Sequence, residues 1–439
     1  MIMNKIKLLL AAAALLVAQA VSSQQLVIQI TKGVDNPIPI AIVPFEWTGF
    51  GVLPENITSV VTNDLHNSGE FAPIPEKNML GTPHQEKDVY FKDWRFLGSD
   101  YLLIGKISKS ADSALIQVQY ELFDVVGQKR MVGEVISGTE KQLRDISHQI
   151  SDVVYEKILH VRGAFATKIL YITSQRLSPT VTHYQLNLAD ADGGRAQVLL
   201  DSKEPIMSPT WSPDASQIAY VSFESGRSQI YIQNLSTGAR EQLTNFQNSS
   251  NSGPSWSPDG TKMAMVLSKD GNQDIFVMNL RSRKLDKITT SFAIDTEPSW
   301  MPGGKSLLYT SDQGGTFRPQ IYQVSLETNW SERVTFDGTY NAKASMLPDG
   351  KNIVLIHRAE ASDDHVSIMN LERGTISALT DTSLDESPTV APNARMVMYS
   401  SKEGDHSVLN AVSINGRIKY KLPVKEGDVR EPAWSPFLD

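Results

Sequence analysis

Glu297-Pro298, Asp385-Glu386 and Glu431-Pro432 put carboxylates just ahead of three short stretches of similar sequence, at what would be one mouth of a channel. Paired carboxylates can run glycoside hydrolysis, hold an ion, or form the polar rim on which another protein docks, and the docking rim is the preferred reading here. The other chemistry-bearing residues are isolated. Asp190-Ala191-Asp192-Gly193 opens like a calcium loop but lacks the third acidic ligand and the closing glutamate, which favours a hairpin turn. The eight histidines, at 66, 84, 148, 160, 183, 357, 365 and 406, include no pair at metal-binding spacing and read as surface or packing residues. No GxSxG, HExxH, GxxxxGK[ST] or GxGxxG occurs. With no cysteine, disulfides, thiolate metal sites and cysteine nucleophiles are excluded together. The residues predict no catalytic centre, no metal site and no cofactor.

The elements that carry those carboxylates repeat. PSWSPDG at 254–260 has relatives at Pro209 (PTWSPDA), Pro298 (PSWMPGG), Ser345 (SMLPDG), Pro388 (PTVAPNA) and Pro432 (PAWSPFL). Their central residues are Trp211, Trp256, Trp300, Met346, Val390 and Trp434, at intervals of 45, 44, 46, 44 and 44 residues. So constant an interval marks an internal repeat. Prolines on either side of the aromatic hold the backbone extended, Asp-Gly supplies a tight turn, and the aromatic offers a large apolar body to wedge between sheets. Met346 and Val390 in the same slot argue that size matters there more than the indole. After each of the first five motifs comes a short apolar strand such as QIAYVS or KMAMVLS, then two more strands, so the motif strand makes four per repeat, the content of a propeller blade. The ends interlock: KILYIT at 168–173 matches the strand after a motif but has no motif before it, and the last motif has no strands after it. Pairing them gives a six-bladed β-propeller closed by the C-terminal strand and leaves no bare edges. An open solenoid would need polar capping repeats, and none is visible.

The 439 residues, 41% hydrophobic and 21% charged, suffice for two or more domains. Lys5 and Lys7 followed by the apolar run 8–18 and Ala18-Gln19-Ala20 predict a signal peptide over 1–20, its core too short to span a bilayer. No later stretch is apolar enough to span. Removing the leader's two lysines takes the formal charge from −8 to −10, which argues against nucleic acid or anionic lipid as the partner. From 21 to 162 the pattern is mixed α/β: a buried strand at 38–45, helical stretches ending near Gly69 and Gly98, a hairpin turning at Gly127, and a long amphipathic helix opened by Thr139 with Gln142 and ended by Gly163. The expected organisation is an α/β domain over 21–162 and an all-β propeller over 163–439.

Leader, small α/β domain and six repeats of the type PSWSPDGTKMAMVLSKDGNQDIFVMNL together resemble the TolB family, periplasmic components of the Tol-Pal system of Gram-negative bacteria. More specific are FESGRSQIYIQ at 223–233, LDESPTVAPNARMVMYSS at 384–401 and QLVIQITKGVDNPIPIAIVPFEW at 25–47; the chain departs at Met346, at Val390 and in a few extra residues before Gln25. The resemblance implies a monomeric, non-enzymatic adaptor that serves outer-membrane integrity and constriction at division. It implies binding of the lipoprotein Pal at the propeller mouth, through Met207, Asn251, Gly253, Asp295, Thr296, Glu297, Asp385 and Glu386. It implies recognition by TolA of the N-terminal residues Gln25, Leu26, Val27, Ile28, Gln29, Ile30, Thr31, Lys32 and Gly33. Other outer-membrane proteins and colicins are further candidate partners. Alternating Leu26, Ile28 and Ile30 suit that segment either to extend a partner's sheet or to pack on the chain's own α/β part. The competing reading is an exported propeller hydrolase that acts on peptide or glycan through the mouth carboxylates.

Overall fold

Three kinds of local signal build the first part of the chain: a continuous apolar strand, helices with one apolar stripe, and an alternating hairpin. A computed structural model describes residues 36–49, 51–109, 115–246, 248–314, 318–360, 363–424 and 427–438, so the leader and residues 25–33 lie outside the described residues. Strands β1 (Ile38–Ile42), β2 (Glu46–Trp47), β3 (Phe71–Pro73), β4 (Tyr101–Lys109), β5 (Ile116–Asp124) and β6 (Lys129–Gly138) form one mixed sheet, in the order β3-β1-β4-β5-β6 with β2 beside β4. Both faces of β1 are covered, which is why it reads as an unbroken apolar run. Ile40 and Ile42 meet helices α1 (Ile57–Asn67) and α3 (Leu143–Leu159), while Ala41 and Val43 meet Trp94 of α2 (Phe91–Phe96).

The helix signals fall where the sequence puts them, with two differences. The Thr139–Gln142 capping box forms, but on a single 3-10 turn at Glu140–Gln142 that leads into α3. The stop is His160, in the left-handed region at φ 56°, three residues before Gly163. Histidine is among the few non-glycine residues that occupy that region readily.

Among the described residues beyond 167 every sheet has four strands, and there are six such sheets. The first five blades open on the motif strands Ile206–Trp211, Asn251–Trp256, Asp295–Trp300, Tyr340–Met346 and Glu386–Val390. These innermost strands touch one another in succession around the ring. The sixth sheet joins the two ends of the chain: Asp428–Trp434 pairs antiparallel with Lys168–Ser178, Val429 opposite Thr173 and Trp434 opposite Ile169. Lys168 and Ser435 tie the seam, Ser435 N–H donating to the Lys168 carbonyl at 2.9 Å and Lys168 N–H to the Ser435 hydroxyl at 3.0 Å.

Size is not the whole role of the repeated tryptophan. Trp211 Nε1 donates to the Ala433 carbonyl of the preceding blade, and Trp300 Nε1 to that of Ser255, both at 2.9 Å. Each of these indoles therefore fills the gap between blades and also pins them together. Asp214 and Asp259 close the turn at the other end of the motif by accepting from the hydroxyls of Ser212 and Ser257, both at 2.6 Å.

Closure predicts the cost of losing the last strand. Deleting residues 431–439 removes half of the seam and the Trp434 side chain, whose loss alone costs about 3 kcal/mol. The truncated chain should melt well below the parent; equal melting temperatures would refute the seam as a stabilising element.

Candidate partner-binding site

The register separates the two ends of the propeller. Asn251 lies opposite Leu267, and Leu267 opposite Asp274, so the loops before the motifs gather at one end and the Pro-Asp-Gly turns at the other. At the first end every innermost strand shifts register within its opening residues. The residue inside each shift is left-handed: Ser208 (φ 51°), Gly253 (56°), Glu297 (56°), Lys343 (52°), Ser387 (53°) and Glu431 (50°). Five of the six precede a proline, which has no N–H to give to the ladder and so tolerates the bulge. Only one is glycine, and a left-handed conformation costs an ordinary residue about 1 kcal/mol.

Contacts between blades hold these positions. Glu431 Oε2 accepts from Ser208 N–H at 2.5 Å, and Glu297 Oε2 accepts from Lys343 N–H at 3.0 Å and from the Thr310 hydroxyl at 2.8 Å. Lys343 Nζ donates to the Ser387 hydroxyl at 2.6 Å. Three side chains of the mouth wall, Glu297, Lys343 and Glu431, thus each bond the next blade.

The eight candidate residues divide by depth. Met207 and Glu386 are exposed, and Gly253, Thr296 and Glu297 are half-buried. Asn251, Asp295 and Asp385 are buried, so they shape the mouth from beneath and do not offer it a surface. The reason is a repeated polar anchor. Asn251 Nδ2 donates to the Ser228 carbonyl (2.7 Å) and to Gln229 Oε1 (3.2 Å), and Asn341 repeats this with the Asp337 carbonyl (2.7 Å) and Gln320 Oε1 (2.9 Å). Asp385 accepts from Val366 N–H and from the hydroxyls of Thr380 and Thr382, while burial raises its pKa. At the equivalent place Asp295 faces Asp274 where the neighbouring blades pair amide with amide. Burial, with the Asp274 charge added, pushes Asp295 up to about 6, and the Oδ1 atoms of both carboxylates are buried without a hydrogen bond.

The sequence reading missed the apolar part of the rim. Phe292 is 105% exposed, and Ile294, Phe336 and Leu384 also stand in the open in the loops before the third, fourth and fifth motif strands. The signal was present in SFAID at 291–295, an apolar run in a stretch otherwise built like a polar connector.

At the opposite end the α/β layer meets the propeller through charge. The Asp190–Gly193 stretch is a hairpin turn, Gly193 N–H donating to the Asp190 carbonyl at 2.8 Å. The buried Asp190 carboxylate faces Arg144 at 3.1 Å, Lys168 at 2.5 Å and Arg195 at 2.8 Å. Burial alone would raise its pKa, but the cations around it, His148, Arg195 and Lys168, hold it well below the usual carboxylate range. His148 is no simple packing residue. Burial works to lower its pKa, yet the carboxylates of Asp64 and Asp190 outweigh burial and hold it at about 10. Asp64, His148 and Asp192 bring possible metal-ligand atoms within 4.8 Å of one another, but a protonated imidazole has no free lone pair to give a metal.

The profile described as the TolB amino-terminal domain matches residues 26–131, and that of the TolB beta propeller domain matches residues 155–438. This chain belongs to the TolB family. It is 46% identical to the Tol-Pal system protein TolB of Pseudomonas aeruginosa over 99% of either chain, and 47% identical to that of Pseudomonas syringae pv. syringae over 95% of this chain and 96% of the other. The crystal structure of TolB from Acinetobacter baumannii superposes with a TM-score of 0.84 at 38% identity, covering 93% of this chain and 98% of that one. As a TolB the chain is a non-enzymatic component of the cell envelope, and the hydrolase reading is set aside.

The Asp274–Asp295 pair yields a pH prediction for this TolB. An acid whose folded pKa (about 6) exceeds its ordinary 3.8 costs the folded state stability as pH climbs through that interval. Asp295→Asn supplies the amide its neighbours carry, so in urea titrations the variant should match the parent near pH 4 and exceed it near pH 7.5 by on the order of 2 kcal/mol. A variant less stable than the parent at the higher pH would refute this.

Proposed function

We propose that this TolB is a periplasmic adaptor of the Tol-Pal envelope complex, with its propeller mouth binding the lipoprotein Pal and residues 25–33 binding TolA. In this reading the leader at 1–20 exports the chain, 21–162 is the domain that presents the TolA-binding segment, and 163–439 is the Pal-binding propeller. Its service is to outer-membrane integrity and to constriction at division. Membership of the Tol-Pal system supports the class of partner. No helix among the described residues is long and apolar enough to cross a membrane.

One observation carries the Pal site: the exposed Phe292, Ile294, Phe336 and Leu384 line one side of a mixed-charge mouth that the α/β layer leaves open. Apolar anchors inside a polar rim are the composition of a protein interface, and loops from several blades can supply the roughly 800 Å² per partner that such an interface needs. Met207, Thr296 and Glu386 stand on the same end, while Asn251, Asp295 and Asp385 position them. The α/β layer packs at the far end, where Arg162 lies over the Phe437 ring at 4.0 Å and accepts from Asn393 at its carbonyl.

Two experiments test the two halves. Thr296→Arg, which sets a long charged side chain on the mouth, should weaken Pal binding at least tenfold, about 1.4 kcal/mol, with the melting temperature unchanged. Parent-like affinity for Pal would move the site elsewhere. Removing residues 25–33 should abolish TolA binding in isothermal titration and leave Pal binding equal or stronger; unchanged TolA affinity would end that assignment.

A further inference from the structure

The histidines that stand apart in the sequence do not all stand apart in the fold. In the fourth blade, strands Asn352–Arg358 and His365–Asn370 run antiparallel with His357 directly opposite His365. On its other side His357 lies directly opposite Asn341 of the motif strand. Side chains opposed in this way share one face of the sheet, with Cβ atoms roughly 5 Å apart. Asn341, His357 and His365 therefore form one row across three strands.

The row fixes the tautomer of His357. Asn341 Nδ2 is committed as a donor to Gln320 Oε1 at 2.9 Å and to the Asp337 carbonyl at 2.7 Å, so its Oδ1 accepts, and His357 Nδ1 at 2.8 Å is the donor. A neutral imidazole with its proton on Nδ1 keeps a lone pair on Nε2. Burial pushes the pKa of His357 down, against the charge of Asp337 and with that of His365, which keeps the ring neutral. Gly338 packs on the ring, where an added Cβ would stand 2.4 Å from Cε1. Metal-binding histidines as a rule donate their other N–H to a fixed oxygen in just this way.

His365 brings the second nitrogen. It opens the third strand of its blade, the place held by Gln229 in the first blade and Gln320 in the third. Those glutamines accept there, from Thr244 and Asn251 and from Thr335 and Asn341 respectively. His365 takes no such bond, and its Nδ1 is buried without a hydrogen-bond partner among the described residues. A buried polar atom left unpaired calls for a reason. Asp337, exposed in the loop before the motif strand, adds a negative charge that reaches the pair.

We infer that His357 and His365 form a binding site for one divalent transition-metal ion such as zinc, held between His357 Nε2 and an imidazole nitrogen of His365, with water completing its shell. Zinc takes an imidazole nitrogen at about 2 Å, so two rings that start roughly 5 Å apart at Cβ can both reach it. Nickel and copper share the preference for imidazole, whereas calcium and magnesium prefer oxygen.

The test is calorimetric titration of the untagged chain, stripped of metal with EDTA, with zinc chloride. Zinc should bind saturably, and excess calcium chloride should not displace it. His365→Gln installs the residue of the first and third blades, and His357→Leu the one that Leu267 places opposite Asn251 in the second, so both variants should fold. Each should weaken zinc by at least tenfold. In the parent chain, without any substitution, zinc should protect both histidines from diethyl pyrocarbonate, read by peptide mass spectrometry. Absence of saturable zinc binding, displacement by calcium, parent-like affinity in either variant, or labelling that zinc leaves unchanged would overturn the proposal.

Discussion

The architecture depends on one antiparallel pairing, Asp428–Trp434 against Lys168–Ser178. A blade is a small sheet with two edges, and its inner edge is covered only because its neighbours crowd the axis. The five blades between residues 206 and 421 are each contiguous in the chain, and contiguity alone would let the row stay open. The sixth blade takes one strand from the end of the chain and three from its middle, so no blade is terminal. The same seam places Asp190, at the far end of the sixth blade's third strand, directly beneath α3. Ring closure and the ionic part of the α/β layer's attachment are therefore built on one sheet.

Crowding at the axis explains the ring of left-handed residues. Six strands that converge must bend away from one another where they open into the mouth, and a bulge with one left-handed residue bends a strand in the least length. The strain is spread over five non-glycine residues and is offset in part by bonds from three of them to the next blade, Glu431 to Ser208, Glu297 to Lys343 and Lys343 to Ser387. Side chains that could have been free to meet a partner are thus partly spent on the wall. Glu297 is the clearest case, since its carboxylate is already an acceptor for the adjoining blade.

What could be read from sequence follows from period and from punctuation. An interval of 44 to 46 residues, a four-strand content and two incomplete ends determine a closed six-blade ring almost without chemistry. The Thr139–Gln142 box and the glycines at 69 and 98 were legible because capping is local. Depth at the mouth was not legible. Asp295 and Thr296 are neighbours in sequence, yet one is an anchor beneath the loop and the other stands in its wall, because alternation sets successive side chains on opposite faces. His148 was equally opaque, since its partners Asp64 and Asp190 lie 84 residues before it and 42 after it.

The junction between layer and propeller differs in kind from the cores on either side of it. The apolar cluster built on α1 and α3 and the one between the fifth and sixth blades remain separate, and between them stand the ions around Asp190. An interface held by apolar area keeps its strength across pH; one held by charge does not. Asp190, depressed by its cations, contributes fully above the ordinary carboxylate range and is lost only on acidification. His148, raised to about 10, contributes fully below the ordinary imidazole value of 6.5 and fades as pH rises toward 10. The two windows overlap completely only between about pH 4 and 6.5. The attachment is therefore firmest under mildly acidic conditions and loosens gradually on the alkaline side, a charge dependence that the two apolar clusters flanking it do not share.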